Sequence, residues 1–337
     1  MENPIENLSR KLKGQTKAQK RLQVTPVYQV LTNWANAVEH SQNNPLGFGI
    51  PTIDEDLEYD LRGKVIAVIG YQGTKKSLLA LQGGNYNAMA YQSRILLSSM
   101  EMTSNLVFER ELNYCLPHWE DGPGGYKVQA AKYWKERIKQ DGAAKVISEI
   151  EETIKDFYGD SVLISDTPRM SVREYKQLLD QHINAGTPID MIVVDGLSRM
   201  EAKGSETESY STNIGDLKDL ANEYNVGVVV ICHCSKTSGG IRGTKHTRDN
   251  TPFVRGSEKI LDDIDCVISM SLYQDPENPE EYLKDEGHIR YWGKRNTGNV
   301  INLVYSFNPM KLTLNESTKD PKMMEVESAN TGGRGSF

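Results

Sequence analysis

Short apolar runs alternate with segments of helical period along most of the chain. From Gly47 onward the pattern predicts strands at 64–69, 94–99, 162–165, 190–195, 226–232 and 265–270, and helices at 77–90, 104–114, 127–157, 172–185, 211–224 and 256–262. Strands spaced by helices specify an α/β domain with a mostly parallel sheet flanked by helices. Two further strands, 287–293 and 299–307, read as a late β-hairpin around Asn296, Thr297 and Gly298. The acidic, proline-broken stretch 271–286 between them and the sheet reads as a surface excursion. Upstream, Val27, Val30, Leu31, Trp34 and Val38 fall at helical spacing and predict an amphipathic helix over 25–40, closed by Asn43, Asn44 and Pro45. The expected organisation is a basic flexible arm (1–24), a linker helix (25–43), one α/β domain (44–314) and a polar, disordered tail (315–337).

Composition narrows the class. At 337 residues the chain is long enough for a full core, and no apolar run approaches the ~20 residues of a membrane span. The N-terminus lacks the apolar stretch of a secretory signal. Four cysteines in a chain of this length form no disulfide framework, which points to a reducing cytoplasm. A net charge of −7 argues against a protein coated in nucleic acid, so any such contact must come from a local basic surface.

The densest chemistry lies at 65–77, VIAVIGYQGTKKS. An apolar strand enters a glycine turn, followed by lysine, serine and a helical run. That is the context in which a P-loop binds phosphate: backbone amides at a helix N-terminus cradle the anion, Lys76 reaches the β- and γ-phosphates, and Ser77 holds Mg²⁺. Gly70, Gly73, Thr74, Lys75, Lys76 and Ser77 are therefore the candidate nucleotide-binding residues. Lys75 stands where the pattern has its last glycine, and a side chain there crowds the approach of backbone to phosphate.

Three other strands end in polar residues. IDMIVVD (189–195) places Asp195 at the tip of a strand, suited to a Mg²⁺ contact; the alternative is a helix N-cap. RILLSSMEM (94–102) brings Glu101 to a strand end, where it can orient an attacking water or favour a helix dipole. VGVVVICHCSK (226–236) brings His233 to a third strand end, where a polar group can sense a γ-phosphate. Cys232 and Cys234 share the opposite strand face and read as buried small hydrophobes rather than metal ligands. The segment 236–259 is rich in glycine and cations. Lys236, Arg242, Lys245 and Arg248 on it suit the phosphate backbone of a single strand, though such composition also describes an ordinary solvated loop.

These pieces occur in one order, and over roughly 47–314 that order resembles the RecA-fold motor domain of DnaB-type replicative helicases and their phage relatives. GFGIPTIDEDL (47–57) is similar to the family's lead-in segment, GYQGTKKS (70–77) to its Walker A loop, SSMEM (98–102) to its catalytic-glutamate stretch and IDMIVVDGLSRM (189–200) to its Walker B strand. KRNTGNVINLVYSF (294–307) is similar to the segment carrying an arginine finger, which maps to Arg295. The resemblance implies an ATP hydrolase coupled to DNA unwinding, with ATP and Mg²⁺ as cofactors. It implies a six-membered homo-oligomeric ring on single-stranded DNA, with Lys76, Glu101, His233 and Arg295 catalytic and Ser77 and Asp195 on the metal. A primase, loader or polymerase would be its partner. A RecA-like filament former and a P-loop module without hydrolysis are the alternatives. Besides Lys75, the chain departs from the family at His233, where bacterial members have glutamine, and at Gly293, where the family has a lysine two residues before the finger.

Overall fold

A computed structural model describes residues 27–116, 129–201, 204–234, 262–275, 282–295 and 297–321. The chain divides at residue 43 into two units. The described part of the first is one helix, α1 (Val27–Asn43), with Val30, Leu31 and Val38 exposed along it.

The second unit is built on a nine-stranded sheet. In chain order its elements are α2 (Pro51–Asp56), β1 (Val65–Gly70), α3 (Lys76–Tyr91), β2 (Ile95–Ser99), α4 (Ser104–Cys115), α5 (Ala130–Asp141), α6 (Ala143–Tyr158), β3 (Val162–Ser165), α7 (Val172–Asn184), β4 (Met191–Asp195), α8 (Glu206–Tyr224), β5 (Gly227–His233), β6 (Cys266–Gln274), β7 (Tyr282–Trp292), β8 (Val300–Asn308) and β9 (Thr313–Glu316). The strand order is β3-β2-β4-β5-β1-β6-β7-β8-β9. The first six strands are parallel, and β7, β8 and β9 extend the sheet by antiparallel pairing.

The central strands are apolar on both faces because both faces are covered. On one face Val65, Ala67, Ile69, Ile192, Val194, Val228 and Val230 pack with Tyr175 and Leu179 of α7 and Ile214 and Leu217 of α8. On the other, Ile66, Val68, Met191, Val193, Val229 and Ile231 pack with Phe48, Leu79 and Ala80, and with Tyr291 and Tyr305 of the antiparallel part. Alternate residues of each strand thus feed opposite layers. Helix α3 lies so close to the sheet that a Cβ on Gly84 would sit 3.1 Å from both Ile95 Cγ2 and Leu97 Cδ2. A satellite cluster under α4, α5 and α6 is centred on Leu112, Leu116, Trp134 and Val146.

Several sequence expectations are corrected. The helix expected over 127–157 is two helices, parted at Gly142, whose φ of 87° ends one and starts the next. Helix α8 starts at Glu206 rather than 211, because Ser205 and Glu208 form a capping box. The stretch 271–286 is not wholly an excursion: β6 continues to Gln274 and β7 begins at Tyr282. The short elements α2 and β9 were not anticipated, and the tail expected from 315 still carries β9 to Glu316. The arm, most of the helix expected at 256–262, and Lys236, Arg242, Lys245 and Arg248 lie outside the described residues. Among the described residues no helix is long and apolar enough to cross a membrane.

Candidate nucleotide-hydrolysis site

The register of the sheet places the polar strand ends side by side. Gly70 pairs with His233, Ser99 with Asp195, and Asp195 with Ile231. The carboxyl ends of β1, β2, β4 and β5 therefore share one edge, where open parallel sheets take ligands.

The loop after β1 folds as a phosphate cradle requires. A Cβ on Gly70 would lie 2.6 Å from the Met270 carbonyl and 2.7 Å from Thr74 Oγ1, so only glycine fits. Thr74 is fully buried, and its hydroxyl donates to the Tyr71 carbonyl at 2.8 Å. Lys76 opens α3 and is buried; its ammonium donates to the same carbonyl at 2.7 Å. Burial lowers the Lys76 pKa to about 8, against the raising effect of Cys234, Asp195, Cys232 and Glu101. A buried cation held by one neutral carbonyl is short of partners, and a polyphosphate would complete it.

Lys75 takes the left-handed conformation (φ 69°, ψ 18°) at the N-cap of α3. This is the backbone state that glycine would occupy without strain, at a cost of roughly 1–2 kcal/mol for a lysine. The side chain is drawn aside: Nζ lies 4.0 Å from the centroid of the Phe307 ring on β8. A cation–π contact of about 0.5–1 kcal/mol offsets part of that strain. The same strand braces the loop once more, with the Tyr305 hydroxyl donating to the Thr74 carbonyl at 3.5 Å.

Asp195 ends β4, 6% exposed, and its Oδ1 has no hydrogen-bond partner. Burial raises its carboxyl pKa, a hydrogen bond from Ser77 opposes this, and the Glu101 charge adds to the rise. Glu101 stands beside it because Met100 N donates to the Asp195 carbonyl at 2.9 Å, closing β2 against β4. Gly196 permits the approach: its φ is 113°, and a Cβ would lie 3.1 Å from Met100 Cβ and 3.2 Å from Glu101 Cγ. His233 Nε2 lies 3.5 Å from Glu101 Oε1. The Glu101 carboxyl is lowered first by that hydrogen bond, against partial burial, and further by the charges of His233, Arg199 and Lys76. Ligand atoms of Glu101, Asp195 and His233 lie within 4.8 Å of one another. An orphaned buried carboxylate oxygen, a neighbouring hydroxyl and a second carboxylate form an oxygen-rich donor set that fits a hard divalent ion such as Mg²⁺.

Cys232 and Cys234 are buried in the core layer opposite His233, and no disulfide joins the four cysteines. Arg295 lies elsewhere. It follows β7 at the amino end of β1, where its backbone N–H donates to the Asp265 carbonyl at 2.9 Å and Asp265 N donates to Val65 O. Its guanidinium donates to the Asp262 carbonyl and lies 3.8 Å from Asp263 Oδ1. The whole length of β1, about 20 Å at strand rise, separates it from Lys76 of the same chain. The structure thus brings together Lys76, Ser77, Glu101, Asp195 and His233, and leaves Arg295 outside that group.

Sequence reasoning missed the residues behind the site. Arg110 on α4 is within electrostatic reach of both Asp195 and Glu111, and its Nη1 is buried without a partner. Glu111 is 2% exposed and accepts from the Tyr158 hydroxyl at 2.9 Å. Neither carries a motif. The only signal was their place on the inward face of a helix that starts just after Glu101.

Comparisons with known proteins agree with this geometry. No curated protein matches the chain. Among solved structures, one described as an ATPase domain superposes with a TM-score of 0.67 at 18% identity, over 88% of this chain and 100% of that one. A DnaB-like replicative helicase, described together with its interactions with primase, gives 0.65 at 18% identity over 94% of this chain and 72% of that one. Both share the fold. The family model of the DnaB-like helicase C-terminal domain matches residues 49–313, a span that contains every element from α2 to the start of β9. The chain belongs to the DnaB-like helicase family, whose ATPase motor it carries.

Proposed function

We propose that this helicase motor works as a six-membered ring on single-stranded DNA, with ATP and Mg²⁺ held at each interface between protomers. Head-to-tail contacts close into a ring when their rotation permits. The observation that carries the reading is the convergence of Lys76, Glu101, Asp195 and His233 on one sheet edge, with a buried Asp195 oxygen lacking a partner.

In this mechanism the amides of the 70–77 loop and the Lys76 ammonium bind the β- and γ-phosphates, and Lys76 exchanges the Tyr71 carbonyl for phosphate oxygen. Ser77 and Asp195 would hold the Mg²⁺, whose charge would offset that of the phosphates when bound. Glu101, kept ionised by its neighbours, orients a water for in-line attack and accepts its proton. His233, against Glu101, reports the presence of the γ-phosphate to the chain that follows β5. Arg295 cannot serve its own pocket and acts on that of the adjacent protomer. The basic residues Lys236, Arg242, Lys245 and Arg248 hold single-strand phosphates, and α1 packs on a neighbour as the family's linker helix does. A primase is the partner suggested by the solved relative; a loader or polymerase remains the sequence-based expectation.

Steady-state ATP hydrolysis with and without single-stranded DNA tests the assignment. Glu101→Gln should bind ATP normally and lose DNA-stimulated turnover by ~10³-fold or more, and Lys76→Ala should lose both. Turnover retained in both variants would overturn the site.

A further inference from the structure

The turn that carries Arg295 is tied to the short helix α2. Asp56, the last residue of α2, accepts hydrogen bonds from Thr297 Oγ1 at 2.8 Å and Asn299 Nδ2 at 2.5 Å, with the Tyr291 hydroxyl as a third partner. The turn closes on itself at the same place. Gly298 N donates to Gly293 O at 2.7 Å, Gly293 N to Asn299 O at 3.0 Å, and Asn299 N to Thr297 Oγ1 at 3.2 Å.

Gly293 is fixed by this arrangement. A Cβ there would lie 2.7 Å from Thr297 Oγ1, 3.0 Å from Asp56 Oδ2 and 3.1 Å from the Tyr291 hydroxyl. Position 293 is therefore closed to the lysine that the family resemblance would put there, and the nearest lysine is Lys294. The departure from the family pattern and the Asp56 contact are one structural fact.

The anchor is itself tied to the P-loop helix. Asp54, two residues earlier in α2, accepts from the backbone amides of Phe48, Gly49 and Ile50 at 2.6, 2.8 and 3.1 Å. Gly47 in turn is held to the P-loop helix: its N–H donates to Asn87 Oδ1 and its carbonyl accepts from Asn87 Nδ2, both at 2.8 Å. A set of hydrogen bonds, buried at α3 and 47–50 and exposed at Asp56, runs from α3, through 47–50 and α2, to the turn at 293–299.

We propose that Asp56 is the positioning residue for Arg295: it holds the 293–299 turn in the geometry that presents the Arg295 side chain to the adjacent protomer's nucleotide. This rests on the reading of Arg295 as acting across the interface. Asp56 touches no reacting atom. Without its carboxylate the turn loses the acceptor for two side chains, and the guanidinium is no longer delivered to one place. Misplacement on the order of 1 Å is enough for a ~10²-fold loss of rate.

The test is DNA-stimulated ATP turnover of the full chain in five forms: wild type, Asp56→Asn, Gly293→Ala, Arg295→Ala and Asp56→Asn with Arg295→Ala. Asp56→Asn and Gly293→Ala should each lower kcat by roughly 10- to 100-fold, with KM for ATP within about threefold of wild type. The double variant should be no slower than Arg295→Ala alone. A contact that merely staples the fold would move the melting temperature but would slow the Arg295→Ala background as much as wild type. Wild-type kcat in Asp56→Asn, or an undiminished effect of Asp56→Asn on top of Arg295→Ala, overturns the proposal while leaving the trans role of Arg295 standing. Full turnover in Arg295→Ala removes that role and the proposal with it. Should Asp56→Asn fail to fold, Thr297→Val deletes one of the two side-chain donors without touching the charge, and the same kcat and double-variant outcomes decide.

Discussion

The Lys76 ammonium has a single neutral acceptor in a buried site, and this fixes its response to ligand. Its pKa lies near 8, lowered by burial, whereas a triphosphate would stabilise the charged form and raise it. ATP binding at pH 8 should therefore be accompanied by uptake of about half a proton per site, and by almost none from this group at pH 6.5. Calorimetry in buffers of different ionisation enthalpy measures it. Lys76→Arg, charged throughout, should show no such uptake; wild-type binding at pH 8 without buffer dependence would contradict the assignment. At this scale the chemistry was legible wherever a residue type met a strand end, as at Lys76, Glu101, Asp195 and His233. Asp56, Arg110 and Gly196 were not legible. Their roles are set by partners distant in sequence: Thr297 and Asn299 for Asp56, Asp195 for Arg110, Met100 and Glu101 for Gly196.

At the scale of elements, α4 links the nucleotide edge to the α5–α6 helices. It starts just after Glu101, carries Arg110 toward Asp195, and bonds Glu111 of its later half to Tyr158 of α6. The Glu111 carboxyl is pushed up to about 7 by burial, against hydrogen bonds from Tyr158 and Asn85 and the charge of Arg110. Between its ordinary value of 4.5 and about 7 the folded chain binds this proton more tightly than the unfolded chain. Its contribution to stability is therefore full below pH 4.5 and lost as pH rises through 7, by at most about 3 kcal/mol. Glu111→Gln, neutral at every pH, should melt higher than wild type at pH 8 and show no such gain at pH 5. A variant that gains nothing at pH 8 would mean that Glu111 is not held protonated by the fold. The parallel strands were legible because burial on both faces writes them as continuous apolar runs. The antiparallel margin was less so: β6 and β7 run on into polar residues, and β9 is only four residues long. The break at Gly142 was masked by apolar periodicity that continues on both sides. The start of α8 was written in Ser205 and Glu208 and was overlooked.

At the scale of the molecule, the sheet keeps its two chemical ends apart. Lys76, Glu101, Asp195 and His233 occupy the carboxyl edge, while Arg295 sits at the amino end of β1, bonded to Asp262. In the proposed ring each chain would contribute one half at either end, and repetition of the chain would join each pocket to the next protomer's arginine. The order of motifs made the family legible from sequence; the spatial separation of Arg295 from its own pocket is a product of strand register and could only be seen in the fold. The most direct test mixes two inactive variants, Lys76→Ala and Arg295→Ala, and follows single-turnover ATP hydrolysis on single-stranded DNA. Random assembly pairs an intact pocket with an intact finger at about one interface in four, so the mixture should recover a first-turnover amplitude of up to roughly a quarter of wild type while each variant alone stays inactive. A mixture as inactive as its components, or an Arg295→Ala protein that hydrolyses ATP unaided at the wild-type rate, would contradict the composite site.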